Sequence, residues 1–218
     1  MELFTILAII FGVSSISYLA LIHKLPFKGD FVIKAIPALT LAVAAFTLVP
    51  EPHGKLLALG FVLSALGDIS LSFKGEKFFL GGLVSFLLAH VVYIIVFSIG
   101  SEWTMTNAWL LGVLGAFGIG MVIVLTPHLG KMKIPVYVYI SVILTMDIMA
   151  ALRGGPAYWT LVAGALTFTV SDTILALDRF RKPMAKGKYY VMTTYYAGQA
   201  LICLAFLGGI CGPNCTLS

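Results

Sequence analysis

Apolar residues in this chain run in blocks about 20 residues long, the length a helix needs to cross the hydrocarbon core of a bilayer. Eight blocks meet that length: residues 4–22, 31–49, 56–73, 78–99, 108–126, 136–152, 157–177 and 189–210. The breaks between them carry turn chemistry: Pro26, Pro50-Glu51-Pro52, Lys74-Gly75-Glu76, Pro127, Pro135, Gly154-Gly155-Pro156 and the charged segment 179–188. The second, fifth and sixth blocks are short, so seven spans is the rival count. The pattern predicts an all-α, polytopic transmembrane helix bundle of eight spans, with residues 1–218 forming a single integral membrane domain.

Composition narrows the class further. Hydrophobic residues make up 60% of the chain and charged residues 11%, against about 25% charged in soluble domains; mean hydropathy is +1.04. The net charge of +5 does not call for a nucleic-acid partner, because the basic residues sit in loops, where they set membrane orientation. Eleven of them, Lys24, Lys28, Lys74, Lys77, Lys131, Lys133, Arg179, Arg181, Lys182, Lys186 and Lys188, fall in the odd-numbered loops, and only Lys55 and Arg153 in the even-numbered ones. That bias places the odd loops in the cytoplasm and both termini outside it. The first apolar block follows Met1-Glu2-Leu3 without a positive n-region or a small-residue cleavage site, which predicts a span rather than a signal peptide. Cys211 and Cys215 then lie on the non-cytoplasmic side, as a disulfide or as two free thiols, and Cys203 lies within the last span.

Acidic residues inside the spans are the main pointer to chemistry. Gly67-Asp68-Ile69-Ser70-Leu71 and Ser171-Asp172-Thr173-Ile174-Leu175 place aspartates 104 residues apart in matching frames, each eight residues after a glycine, Gly60 or Gly164. These matches suggest a weak parallel repeat of four spans, about 1–103 and 104–218. A charge at this depth costs at least about 2.5–3.5 kcal/mol, so such a residue has a partner or a task. Asp68 falls roughly 7–8 Å inside the cytoplasmic end of its span at the helical rise per residue, and Asp172 at the same depth. Lys34 enters the second span from that side. His90 and Tyr93 share a face of the fourth span. Asp147 lies near the middle of the sixth, with Tyr137 and Tyr139 nearer its cytoplasmic end. Tyr189, Thr193, Tyr196 and Gln199 recur at a spacing that makes one face of the eighth. Taken singly, Lys34 reads as a snorkelling lysine, the tyrosines as an aromatic belt, and His90 and Asp147 as interhelical polar contacts. Taken together, they point to a shared polar cavity in the cytoplasmic half.

Two buried carboxyl groups divide naturally into a proton donor and an ionised partner. Such a pair suits hydrolysis through an oxocarbenium-like ion, and it equally suits a proton-coupled carrier. No Gly-x-Ser-x-Gly elbow is present. Asp68, His90 and Asp172 could ligate zinc, but no His-Glu-x-x-His motif and no Cys pair accompanies them, so no metal is expected.

At these residues the chain resembles the YhhN-like lysoplasmalogenase family. The likeness runs through Lys34-Ala35-Ile36-Pro37, Gly67-Asp68-Ile69-Ser70-Leu71, Phe79-Leu80-Gly81-Gly82-Leu83 and Phe86-Leu87-Leu88-Ala89-His90-Val91-Val92-Tyr93. It continues through Ser171-Asp172-Thr173-Ile174-Leu175-Ala176-Leu177, Arg179-Phe180 and the stretch 196–199, in that order over almost the whole chain. The resemblance implies about eight transmembrane helices, no cofactor, and hydrolysis of the vinyl-ether bond of lysoplasmalogens to a fatty aldehyde and a glycerophospho-base. Under it, Asp68 and Asp172 form the acid/base pair. His90, Tyr93, Tyr196 and Gln199 orient water and tune that pair, and Lys34 with Arg179 holds the lysophospholipid phosphate. The setting would be the bilayer, the plasma (inner) membrane for a bacterial chain. The carrier alternative predicts uptake with no product formed.

Overall fold

The structure is a computed structural model, and it describes residues 1–25, 27, 29–100, 105 and 108–209. Lys28, Cys211 and Cys215 lie outside the described residues. Among the described residues there are eight helices long and apolar enough to cross a membrane, which settles the span count in favour of eight. They are α1 (Glu2–Leu21), α2 (Asp30–Leu48), α3 (His53–Ser72), α4 (Glu76–Ser98), α5 (Trp109–Leu125), α6 (Lys133–Leu152), α7 (Tyr158–Ala176) and α8 (Gly187–Gly209). Each begins or ends within a few residues of the apolar block that predicts it. The widest gap is at α3 and α6, which start three residues early. Pro135 is the third residue of α6, where a missing N–H costs nothing because the first turn has no intrahelical acceptors to serve.

Six helices close a ring. In order of contact these are α2, α3, α4, α6, α7 and α8, with α8 returning to α2. Helix α1 lies outside the ring against α2 and α8, and α5 lies outside it against α6. The loops α1–α2, α3–α4, α5–α6 and α7–α8 share one end of the bundle, which therefore carries most of the lysines and arginines and is called the basic end below. Helix α7 does not stop cleanly there but winds on through a π-turn, Leu177–Arg181.

The outer faces of the helices are mainly apolar, as the bilayer requires. Ile9, Val13, Ile16, Phe46, Ile119 and Ile123 are all exposed. The core is aromatic as well as aliphatic, with Phe61, Tyr93, Phe97, Phe168 and Phe206 fully or almost fully buried. Without a hydrophobic drive between helices in lipid, close approach depends on small residues. At Gly164 and Gly198, α7 and α8 touch backbone to backbone: a Cβ at Gly198 would lie 2.8 Å from the Phe168 nitrogen, and one at Gly164 2.8 Å from the Ile202 nitrogen. At Gly67 the missing side chain leaves room for the Phe86 ring, 2.6 Å from where a Cβ would stand.

At the opposite end of the bundle, Arg153 is nearly buried and serves as a cap. Its Nη1 donates to the carbonyls of Phe97 at 2.6 Å, Ile99 at 3.0 Å and Val96 at 3.4 Å. These belong to the last turn of α4, whose carbonyls have no intrahelical donors. His53 Nε2 meets the Ile99 carbonyl as well, at 3.0 Å. The guanidinium stands over the Phe206 ring. Burial lowers the affinity of Arg153 for its proton.

Candidate active site

Asp68 on α3 and Asp172 on α7 point into the ring, and each faces side chains of two neighbouring helices. Lys34 Nζ on α2 lies 3.4 Å from Asp68 Oδ1 and donates to the Asp68 carbonyl at 3.2 Å. Tyr195 Oη on α8 donates to Asp68 Oδ2 at 2.7 Å. Around Asp172 the neighbouring side chains come from α6 and α4: Tyr139 Oη donates to Asp172 Oδ2, and His90 Nε2 lies 3.8 Å from the same oxygen, beyond hydrogen-bond distance. Advancing every helix label by four, with α8 returning to α4, turns the first cradle into the second. The hydrogen bonds of the two carboxylates go to different partners.

Between the cradles lies a layer of rings. Tyr195 meets Phe168 edge-on at 5.4 Å and Phe86 at 5.7 Å. Phe168 meets His90 at 4.8 Å, and His90 meets Tyr139 at 5.4 Å. The aspartates are thus neighbours across an aromatic partition and do not share a hydrogen bond.

The cradles differ in access. Asp68 is 2% exposed, whereas the Asp172 side chain keeps 13% of its surface open. That surface faces a cleft between α4, α5, α6 and α7. Its walls are apolar, Phe79, Leu83, Phe86, Phe117, Ile143 and Leu144 among them, and among the described residues Asp172 is the only charged one lining it. Tyr139, Thr169 and Thr173 add the polar groups. At the basic end Phe79 and Phe180 form the mouth, and the exposed guanidinium of Arg179 stands over the Phe79 ring, 4.7 Å from its centroid.

The remaining residues expected from the sequence divide between two places. Tyr93, Tyr196 and Gln199 belong with Asp68. Tyr196 Oη donates to the Lys34 carbonyl at 3.0 Å, and Tyr93 Oη donates to Gln199 Oε1 at 2.9 Å, with Ser64 Oγ 3.4 Å away. None of the three lines the cleft. Tyr189 and Thr193, expected on the same face of α8, are exposed; the buried face runs instead through Met192, Tyr195, Tyr196, Gln199 and Cys203. Lys34, expected at headgroup level, is 6% exposed and committed to Asp68. Its four-carbon stem turns into the bundle because a carboxylate waits there, whereas a snorkelling lysine would need none. Asp147 accepts a hydrogen bond from Thr169 Oγ1 at 2.8 Å.

Tyr139 stands out in the sequence only as one of the polar groups of the sixth span, and Tyr195 and Thr169 do not stand out at all. A usable signal was present for the first: Lys34 precedes Asp68 by 34 residues and Tyr139 precedes Asp172 by 33. Among the described residues, no group of three His, Cys, Asp or Glu side chains converges as a metal site would.

Chemically, the cleft presents a carboxyl group held by a phenol within an apolar channel, with a cation at its mouth. The comparisons with known proteins name the family. The YhhN family model matches residues 29–206. The chain is 35% identical over 178 residues to the human lysoplasmalogenase TMEM86B, covering 80% of this chain and 74% of that protein. It is 34% identical over 169 residues to the bovine lysoplasmalogenase TMEM86A, covering 72% and 68%. It is 32% identical over 185 residues to the lysoplasmalogenase of Mycobacterium tuberculosis, covering 81% and 69%. No solved structure matches the chain.

Proposed function

The chain belongs to the YhhN family, and from that membership and the cleft we propose that it is a membrane hydrolase of the vinyl-ether bond in lysoplasmalogens, releasing a fatty aldehyde and a glycerophospho-base. The observation that carries the proposal is the position of Asp172 as the charged group in the wall of an apolar cleft whose mouth carries Arg179. The seven residues from Asp172 to Arg179 span roughly 10 Å of helix. A glycerophosphate bridges that interval with the reach of the two side chains. Arg179 then pairs with the phosphate, the vinyl ether lies beside Asp172, and the hydrocarbon tail continues past Phe86, Phe117 and Leu144 towards the lipid.

The chemistry follows from the bond. Asp172, as the carboxylic acid, gives its proton to the alkenyl carbon distal to oxygen. The cation that forms is stabilised by the carboxylate left behind. Water adds at the carbon bearing oxygen, and the hemiacetal collapses to aldehyde and alcohol. Tyr139 holds the Asp172 carboxyl in place, and His90 closes the other side of it. These steps call for proton transfers alone and no cofactor. Asp68, expected as an equal partner, is assigned a different task. Its charge is engaged by Lys34, and through Tyr195 it braces Phe86, which lines the cleft, and Phe168 behind it. Tyr93, Tyr196 and Gln199 brace the same assembly.

The loop charges favour an orientation with the basic end in the cytoplasm, and we place a bacterial form in the plasma (inner) membrane. The comparisons lend no support to a proton-coupled carrier. The test is incubation of the purified protein with a lysoplasmalogen and, separately, with an ester lysophospholipid, measuring aldehyde and fatty acid in both. Aldehyde from the first alone is expected; fatty acid from the second without aldehyde from the first would overturn the assignment.

A further inference from the structure

Asp147 is a buried acid that the steps above do not use. It is 2% exposed at mid-bundle on α6, and its Oδ2 accepts from Thr169 Oγ1 at 2.8 Å. Its other oxygen, Oδ1, is buried and has no hydrogen-bond partner among the described residues. A carboxyl group left this way inside a membrane protein is costly, so its retention points to a task. Thr169 is what connects it to the cleft. The residue lies one turn deeper on α7 than Asp172, and it lines the same cleft wall. Because its hydroxyl hydrogen is committed to Asp147, the lone pairs of Thr169 Oγ1 are left to accept a hydrogen bond from a molecule in the cleft.

We propose that Thr169 and Asp147 form the water-activating arm of the site, with Thr169 binding the nucleophilic water and Asp147 accepting its proton through the threonine hydroxyl. The inference rests on Asp172 being the acid that protonates the vinyl ether. The protons balance over the cycle. Asp172 loses its proton to the distal alkenyl carbon. Water forms a bond to the carbon bearing oxygen and gives a proton to Thr169 Oγ1, whose own hydrogen passes to Asp147. In the collapse of the hemiacetal, its hydroxyl proton returns to Asp172 and the proton on Asp147 returns by the same hydroxyl to the departing glycerol oxygen. The bond between that oxygen and the carbon breaks. Both acids end as they began. Thr169 touches the reacting water, and Asp147 acts through it as a positioning and relay residue.

Deuterium exchange separates this role from a structural one. In D₂O, the intact enzyme captures the cation faster than it returns, so unreacted lysoplasmalogen recovered part-way through the reaction carries no deuterium at its distal alkenyl carbon. In Asp147→Asn or Thr169→Val, capture is slowed and protonation becomes reversible. Aldehyde release is expected to fall at least about 10²-fold, the lower end of general-base assistance, while recovered substrate gains deuterium at that carbon. Exchange of this kind requires a folded site with a working Asp172, so a misfolded variant does not mimic it, and Thr169→Val serves where Asp147→Asn fails to fold. Loss of aldehyde without exchange in a correctly folded variant, or aldehyde release unchanged in both, overturns the proposal. Asp172→Asn should lose aldehyde release to the same or greater extent and show no exchange; aldehyde release within a few-fold of the parent from that variant would instead overturn the assignment of the acid, with the role of Asp147 judged by the other two variants.

Discussion

Tyr139 on α6 donates a hydrogen bond to Asp172 on α7, and the bonded pair forms part of the wall of the apolar cleft. The phenol fixes which way the carboxyl faces, so it bears on the rate more than on the affinity. Tyr139→Phe is expected to lower kcat by about tenfold or more, since a hydrogen bond to a charged group contributes about 1.5–3 kcal/mol. KM should stay near that of the parent. Steady-state kinetics in detergent or nanodiscs checks this, and a change confined to KM would remove Tyr139 from the role.

The Lys34–Asp68 pair carries a different expectation. Asp68→Asn leaves a buried lysine without its counter-charge, and removing one partner of a buried pair costs about 3–5 kcal/mol. Folded yield and Tm should fall. In the double variant Lys34→Met with Asp68→Asn, the pair becomes neutral while the new side-chain amide oxygen still accepts from Tyr195. Stability should recover, and turnover with it to a measurable level. Recovery of folding with complete loss of turnover would return Asp68 to the reacting groups.

Arg179 stands exposed over Phe79 at the mouth of the cleft. Arg179→Ala is expected to raise KM for the phosphate-bearing substrate about tenfold, the order of one charge-assisted contact, with kcat nearly unchanged. A lysine there would restore only part of the affinity, because it lacks the bidentate fork. An unaltered KM would place the phosphate elsewhere.

Arg153 tests the fold apart from the chemistry. Its guanidinium serves three carbonyls at the end of α4. Arg153→Met leaves buried acceptors unpaired, at about 1–3 kcal/mol each before relaxation, so thermal stability should drop. The rate per folded molecule should not change. Active-site titration alongside thermal unfolding distinguishes the two.

The fold was largely legible from hydrophobic blocks because the bilayer constrains helix length so tightly. Residues 78–99 as a span and Glu76–Ser98 as a helix differ by two residues at one end and one at the other. Pro135 misled the start of α6, since a proline reads as a break although the first turn tolerates it. Asp68 and Asp172 were legible as isolated acids in apolar runs. Their partners were less so. Tyr139 and Tyr195 sit among other tyrosines near span ends, where an aromatic belt is the ordinary explanation. Only the rotation of α8, set by Gly198 against the α7 backbone, turns Tyr195 inward and Tyr189 outward. Nor did the matching frames of the two aspartates show that one is sealed by Lys34 while the other opens to a cleft. That difference is made by the cation on α2 and by the placement of α5 outside the ring.

The most direct measurement is the initial rate of aldehyde release by purified Asp172→Asn, with the variant's folding verified by its thermal transition. Asparagine keeps the shape and the acceptor for Tyr139 but has no proton to give. The expected result is a fall of at least about 10²-fold, the contribution of a positioned general acid, at unchanged stability. A folded Asp172→Asn that releases aldehyde within a few-fold of the parent rate would contradict the account.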